Sequence, residues 1–236
     1  MKTYIGTLTF TLFACCFAAQ DNFDKYYRNT HSDVKAITIS FVLAGFGSEN
    51  LLLSSELGQW LQGASETAQE ELTKDLGVTI ELEIANVLEA PRTLLNEIKS
   101  RTILRQMHGP TILYYIKTIY KNALKPDILC VITKDKFYDT NLSNGLGFSL
   151  YTTLCEDMVP MLLTYDWDTQ DDTPAAGKLL YKLVRQSINE NKWKSTPSKA
   201  TFFDGCNIRH RPKGEQDNNP DTYYVLPFDE DQYYSY

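Results

Sequence analysis

The sequence predicts an α/β fold, and three observations carry that prediction. From Val34 to Leu43 the apolar side chains Ile37, Ile39, Phe41 and Leu43 fall on alternate positions, the period of a strand with one buried face. From Ser48 onward Leu53, Leu57, Leu61, Ala64, Ala68, Leu72 and Leu76 recur every three or four residues, one stripe along a long helix for which Gly77 is a fitting stop. Val78, Ile80, Leu82 and Ile84 return to alternation. The chain thus spells strand, helix, strand, the grammar of a βαβ unit.

The remaining elements follow in order. Leu94, Leu95, Ile98, Ile103 and Leu104 have helical spacing and predict a second helix, which Gly109-Pro110 interrupts before a further apolar segment from Ile112 to Leu124. Pro126 closes that segment. Asp127 to Thr133 is a third strand, and its continuous run Ile128-Leu129-Cys130-Val131-Ile132 predicts burial on both faces. Leu142 to Cys155 is a Gly-punctuated extended stretch, and Val159 to Thr164 is a fourth strand. Thr173 as N-cap with Pro174 at the first helical position opens a last helix carrying Leu179, Leu180, Leu183, Val184 and Ile188.

Composition bounds the function. A chain of 236 residues with 43% hydrophobic and 22% charged residues is of the folded globular class, which excludes collagen-like, wholly disordered and disulfide-knot architectures. The formal net charge of -7 opposes approach to polyanions, so no nucleic-acid partner is expected. Lys2, the apolar stretch Ile5 to Phe17 and the small residues Ala14, Ala18 and Ala19 read as a cleaved signal peptide over residues 1–18, cut after Ala18. The expected product is secreted and has no membrane partner, because the apolar stretch is short of the roughly 20 residues that a spanning helix needs. Residues 19–33 are expected to form an N-terminal arm, 34–213 the α/β domain and 214–236 a disordered acidic tail.

Cys15 and Cys16 leave with the leader, so Cys130, Cys155 and Cys206 remain. In an oxidising compartment two of them are expected to pair. Cys130 lies inside the buried third strand, which makes it the free thiol and leaves Cys155 with Cys206. Asn141-Leu142-Ser143 is an N-glycosylation sequon among the loop-forming neighbours Thr140, Asn144 and Gly145, so Asn141 is the expected glycan site.

Several chemical patterns are incomplete. Gly45-Phe46-Gly47-Ser48-Glu49-Asn50 follows a strand as a dinucleotide-binding turn would, but Asn50 replaces the third glycine, and the segment reads as a plain strand-to-helix turn. Asp166, Asp168, Asp171 and Asp172 could offer oxygen ligands to calcium, yet Asp171 and Gly177 stand where an EF-hand needs Gly and Glu, and a solvated loop is the better reading. Zinc hydrolysis needs two or three imidazoles or carboxylates on one centre. His31, His108 and His210 are the only histidines, and no two have a helical spacing of four. Gly147-Phe148-Ser149-Leu150-Tyr151 lacks the closing glycine of a nucleophile elbow. No cofactor is expected.

The element order, the buried strand Pro126-Asp127-Ile128-Leu129-Cys130-Val131-Ile132-Thr133 and the stretch Gly147-Phe148-Ser149-Leu150-Tyr151-Thr152-Thr153-Leu154-Cys155 resemble reprolysin-like metzincin metalloproteases. The resemblance covers roughly residues 34 to 206 and is nearest to secreted salivary proteins of hard ticks related to that lineage. It implies a mixed twisted sheet packed by long helices. It also implies that the last helix should carry His-Glu-x-x-His-x-x-Gly-x-x-His. Matching Ala176 to the alanine that usually precedes this motif puts Gly177, Tyr181 and Ser187 at the ligand positions and Lys178 at the general-base position. No imidazole stands at any of them, and an ammonium cannot accept a proton from water. Val184 replaces the glycine of the motif, which implies a helix that continues. No histidine lies between His108 and His210, so no register restores the ligands.

The resemblance therefore implies a secreted pseudoenzyme, with no catalytic or metal residues, that binds a host haemostatic or immune protein. An active secreted hydrolase is the rival reading. A third comes from the C-terminus. Residues 191–213 hold six basic residues against Asp204, whereas from Gly214 onward there are six acidic residues and no basic ones. Tyr223, Tyr224, Tyr233, Tyr234 and Tyr236 lie near those carboxylates and could be sulfated, as in tail-binding inhibitors of clotting proteases such as thrombin. A solubilising tail, or one folded back on the Lys192 to Lys213 stretch, is the plainer alternative.

Overall fold

The computed structural model describes residues 28–121, 126–140, 143–165 and 170–207. The leader, Asn141, Asp166, Asp168, His210 and the acidic tail with its tyrosines lie outside the described residues. The chain is a mixed α/β protein in which a twisted sheet of five strands is packed by helices on both faces.

A single helical turn, α1 (Arg28–His31), precedes β1 (Lys35–Leu43). A 3-10 turn (Ser48–Leu51) and a bend lead into α2 (Glu56–Leu76), followed by β2 (Ile80–Glu89) and α3 (Arg92–Arg101). A short hairpin, β3 (Thr102–Ile103) and β4 (Gln106–His108), runs directly into α4 (Gly109–Ile119). Then come β5 (Ile128–Thr133), β6 (Lys136–Tyr138), β7 (Gly147–Ser149) and β8 (Val159–Thr164). The described chain ends with α5 (Thr173–Gln186), α6 (Glu190–Ser195) and a 3-10 segment (Lys199–Gly205).

The main sheet has the order β2-β1-β5-β8-β7, parallel except for β7, which pairs antiparallel with β8 at the edge. A bulge at Ala85 shifts the β1–β2 register between Ile39 and Ser40. A second sheet, β3-β4-β6, is formed beside it. Alternation along β1 sends Ile37, Ile39, Phe41 and Leu43 to the face covered by α2 and α5, and Val42 to the face covered by α3 and α4. All six residues of β5 and all six of β8 are buried, as strands covered on both sides must be.

Five stretches differ from the sequence expectation. The long helix starts at Glu56 rather than Ser48, because Ser55 caps it: the Ser55 hydroxyl accepts the Gly58 N–H at 3.0 Å. The chain before the cap folds back so closely that a side chain on Gly58 would meet the Leu52 carbonyl and lie 2.6 Å from the Leu53 Cα. Gly77 closes the helix at φ 63°, as expected. Ile103 and Leu104 are not helical, because α3 ends at Arg101 and the Thr102 hydroxyl, donating to the Ile98 carbonyl at 2.7 Å, turns the chain into the hairpin. Gly109-Pro110 is the start of α4 rather than an interruption, with Pro110 in the first turn where its missing N–H is harmless. The last helix is capped by Asp172, not Thr173, through the Ala175 N–H at 2.9 Å. Among the described residues 143–155 only Gly147–Ser149 forms a strand.

The segment before β1 is tied into the body. Asn29 is buried, accepts the Ala36 N–H at 2.7 Å and donates to the carbonyls of Ala36, Phe203 and Cys206. Lys35 bridges the Asn29 carbonyl and the Asp204 carboxylate. Among the described residues no helix is long and apolar enough to cross a membrane.

Candidate functional site

The helix expected to carry the site, α5, follows β8 and lies on the face it shares with α2. Its stripe of Ala176, Gly177, Leu180, Leu183 and Val184 is buried, and it runs unbroken past Val184 to Gln186, as the loss of a glycine there implied. Two glycines let α2 and α5 approach closely. A Cβ on Gly63 would lie 2.8 Å from Thr173 Cγ2, and one on Gly177 would collide with Thr67 and lie 2.9 Å from the Ala64 carbonyl oxygen. Gly177 is thus filled space, with the neighbouring helix where a side chain would be.

The other three matched positions point elsewhere. Lys178 is in solvent. The Tyr181 phenol donates to Asp75 of α2, and its pKa is raised, chiefly by burial and then by the Asp75 carboxylate. Ser187 is buried at the helix end, where its hydroxyl donates to the Val184 carbonyl at 2.6 Å and its own carbonyl accepts the Leu154 N–H at 3.1 Å. These residues do not converge on one point. Between α5 and the edge strand, a Cβ on Gly147 would lie 2.8 Å from Leu179 Cγ, so an aliphatic side chain fills that gap. The side chains present do not fit a zinc ion: Gly177 offers no ligand atom, the Tyr181 phenol is held protonated against Asp75, and the Ser187 hydroxyl is turned into the helix. Among the described residues no group of three His, Cys, Asp or Glu is placed to hold a metal ion.

The carboxyl ends of β1 and β8 are closed by aromatic rings. Tyr165, just after β8, packs edge-on to Trp60 of α2 at 5.0 Å between centroids and to Phe46, after β1, at 6.0 Å. Lys134, after β5, sits 4.9 Å over the Phe46 ring. The Tyr165 phenol donates to Glu56 and its pKa is raised by burial, with the charges of Glu56 and Asp171 adding to it. A neutral phenol among carboxylates is a hydrogen-bond donor, not a base.

The most perturbed carboxyl lies at the opposite end of the sheet. Asp127, at the foot of β5, is buried and accepts the Thr38 N–H at 2.7 Å, the Thr38 hydroxyl at 2.8 Å and the Asn207 N–H at 2.9 Å. Burial pushes its pKa up to about 6; the Glu83 charge adds to this, and the hydrogen bonds from Thr38 and Asn207 oppose it. Its oxygens are engaged by backbone, so it fastens three segments together. Cys130 is buried and free, and burial raises its thiol far above neutrality, which removes it as a nucleophile. His108 shares a hydrogen bond between Nδ1 and the Thr111 hydroxyl at 2.7 Å and tilts against Tyr138. The Gly45 to Asn50 segment is a turn with Gly45 at φ 81°, leading to the 3-10 turn rather than into a phosphate-cradling helix.

Cys155 and Cys206 are joined by a disulfide across 51 residues. The pair is the one expected from the sequence, whereas the Asp127 clamp and the β3–β4 hairpin were not expected from it. The alternation of Thr38 with the apolar positions of β1 was the available sign of the clamp; Leu104-Arg105 has none of the usual turn chemistry.

No protein-family model matches the chain, and no curated protein matches it. Among solved structures it is similar to archaemetzincin from Methanopyrus kandleri, with 12% identity, 74% of this chain and 88% of that one covered, and a TM-score of 0.41. It is also similar to metalloproteinase-II from Bacteroides fragilis, with 8% identity and a TM-score of 0.37; there 65% of this chain is covered and it spans 42% of that chain.

Proposed function

We propose that the protein is a secreted, non-catalytic relative of metzincin metalloproteases that acts by binding a host protein of haemostasis or immunity. One observation carries this reading. On α5 the first ligand position, Gly177, is occupied by the packing of α2 against it, so that face of the helix serves the core. An imidazole there would have to displace Thr67 and the Ala64 carbonyl. The absence of histidine between His108 and His210 supports the same reading in every register.

Purified protein tests it directly. Elemental analysis should find zinc well below one per chain, and a mixture of extracellular protein substrates should show no chelator-sensitive cleavage. Stoichiometric zinc together with cleavage that a chelator abolishes would overturn the proposal in favour of an active hydrolase.

A further inference from the structure

The chain between β6 and β7 carries the dipeptide Asn144-Gly145, whose chemistry the binding role does not use. Asn144 is exposed and has left-handed backbone at φ 56°. Asparagine before glycine is open to ring closure, because a glycine carries no Cβ to hinder the approach of its nitrogen to the asparagine side-chain carbonyl. Here that nitrogen is occupied. Gly145 is buried, its N–H donates to the Phe137 carbonyl at 2.8 Å, and its carbonyl accepts the Phe137 N–H at 3.0 Å. Phe137 has no exposed surface and its ring lies 5.5 Å from that of Phe148, so this antiparallel bridge is rooted in the core. The flanking residues are tied as well. The Leu146 carbonyl accepts the Thr164 N–H of β8 at 2.8 Å, and the Asn144 N–H donates to Gln106 Oε1 of β4 at 3.3 Å.

We propose that Asn144 is a latent deamidation site, held off in the folded chain by the pairing of Gly145 with Phe137, and that its conversion to isoaspartate unfastens β6 from the chain entering β7. The inference does not depend on the binding role proposed above.

In the reaction the Gly145 nitrogen bonds to Asn144 Cγ, the Cγ–Nδ2 bond breaks, and Nδ2 leaves as ammonia with the proton of the Gly145 nitrogen. Water then opens the cyclic imide. Hydrolysis at Cγ gives aspartate, whereas hydrolysis at the backbone carbonyl carbon gives isoaspartate, in which the chain runs through the former side chain. Ring closure requires the Asn144-Gly145 peptide plane to rotate, and rotation breaks the bond from Gly145 to Phe137. The site therefore reacts from an opened loop, and the free energy of that local opening sets the rate. Isoaspartate inserts a methylene between the residue tied to Gln106 and the residue tied to Phe137, so the chain cannot keep both ties. Unfastened chains accumulate with the age of the protein.

The test incubates the full chain in mildly alkaline buffer, folded or unfolded in urea. Mass spectrometry of proteolytic peptides then resolves asparagine, aspartate and isoaspartate at position 144. The folded chain should convert at least about tenfold more slowly than the unfolded one. Equal rates, or an unfolded chain that keeps its asparagine, would overturn the proposal. Hydrogen exchange on the isoaspartate fraction, separated from folded protein after long incubation, reads the bridge. The Phe137 and Gly145 amides should lose protection there by at least about tenfold, while that of Val131 in the buried central strand stays protected. Asn144→Asp adds the charge without lengthening the backbone, and it should keep the bridge. Unchanged protection of Phe137 and Gly145 in the isoaspartate chain, loss at Val131 as well, or the same loss in Asn144→Asp would each overturn the unfastening.

Discussion

Asp127 holds the backbone N–H of Asn207 at 2.9 Å, joining the foot of β5 to a residue 80 positions later, immediately after the disulfide. The same carboxylate accepts two hydrogen bonds from Thr38 of β1. This one buried group therefore connects the centre of the sheet with the end of the described chain.

Its ionisation sets a pH dependence of definite sign. The folded-state pKa, about 6, is above the ordinary value of 3.8, so the folded form holds its proton more tightly. The resulting stability is fully present below pH 3.8 and is lost as the pH rises through about 6, a difference of about 3 kcal/mol. Melting temperatures measured between pH 4 and 7 should fall with pH more steeply for wild type than for Asp127→Asn, whose amide does not titrate. Parallel curves for the two proteins would show that Asp127 does not govern this window.

Removing the disulfide with Cys155→Ala and Cys206→Ala together should cost on the order of 4 kcal/mol, from the freedom regained by an unfolded loop of 51 residues. Denaturant titration measures the cost. In wild type without reductant, an alkylating reagent should leave Cys130 untouched until the chain unfolds, since the thiol is buried and un-ionised. Rapid labelling of Cys130 under native conditions would contradict its place in the core.

Gly177→Ala adds one methyl group against Thr67 and the Ala64 carbonyl. It should destabilise by about 1–3 kcal/mol through overpacking, seen as a lower denaturant midpoint with the slope unchanged. Gly177→His should be worse and should not create a zinc site. A neutral result for Gly177→Ala would mean that α2 and α5 are free to move apart.

The turn exchange Leu104→Asn with Arg105→Gly should act in the opposite direction, raising stability by about 1–2 kcal/mol as asparagine, which tolerates left-handed backbone, and glycine, which has no Cβ, replace residues that strain it. Thermal unfolding of the two proteins gives the comparison. A lower melting temperature in the double variant would show that Leu104 or Arg105 makes contacts that outweigh the strain.

The main sheet was legible in the sequence because its strands have one simple relation to water. β1 alternates since its two faces meet different helices, and Ile128 to Ile132 runs apolar since both its faces are covered. The α2 stripe was legible for the same reason, although its start was not: Leu53 continues the helical spacing while standing in the bend before the Ser55 cap. Ile103 and Leu104 misled because helical spacing presumes burial, and these two side chains are in solvent. Position 177 could be matched to a motif by spacing, but only the approach of α2 reveals why glycine stands there. Asp127 and Asn207 were unreadable as a pair, since a contact across 80 residues leaves no local pattern.

The strand order β2-β1-β5-β8-β7 has a kinetic consequence. β1 and β2 are joined by one helix, whereas the other edge of β1 waits for β5, whose first residues meet β1 across a sequence separation of 89. Closing so long a loop takes place late, because its entropy must be lost before the contact is gained. Until then Ile39, Phe41 and Leu43 belong to an open parallel edge, the kind of surface on which two unfinished chains can pair with each other. The yield of refolding should therefore depend on protein concentration more strongly than native stability does, and substitutions that speed the joining of β5 to β1 should raise that yield without changing the folded protein.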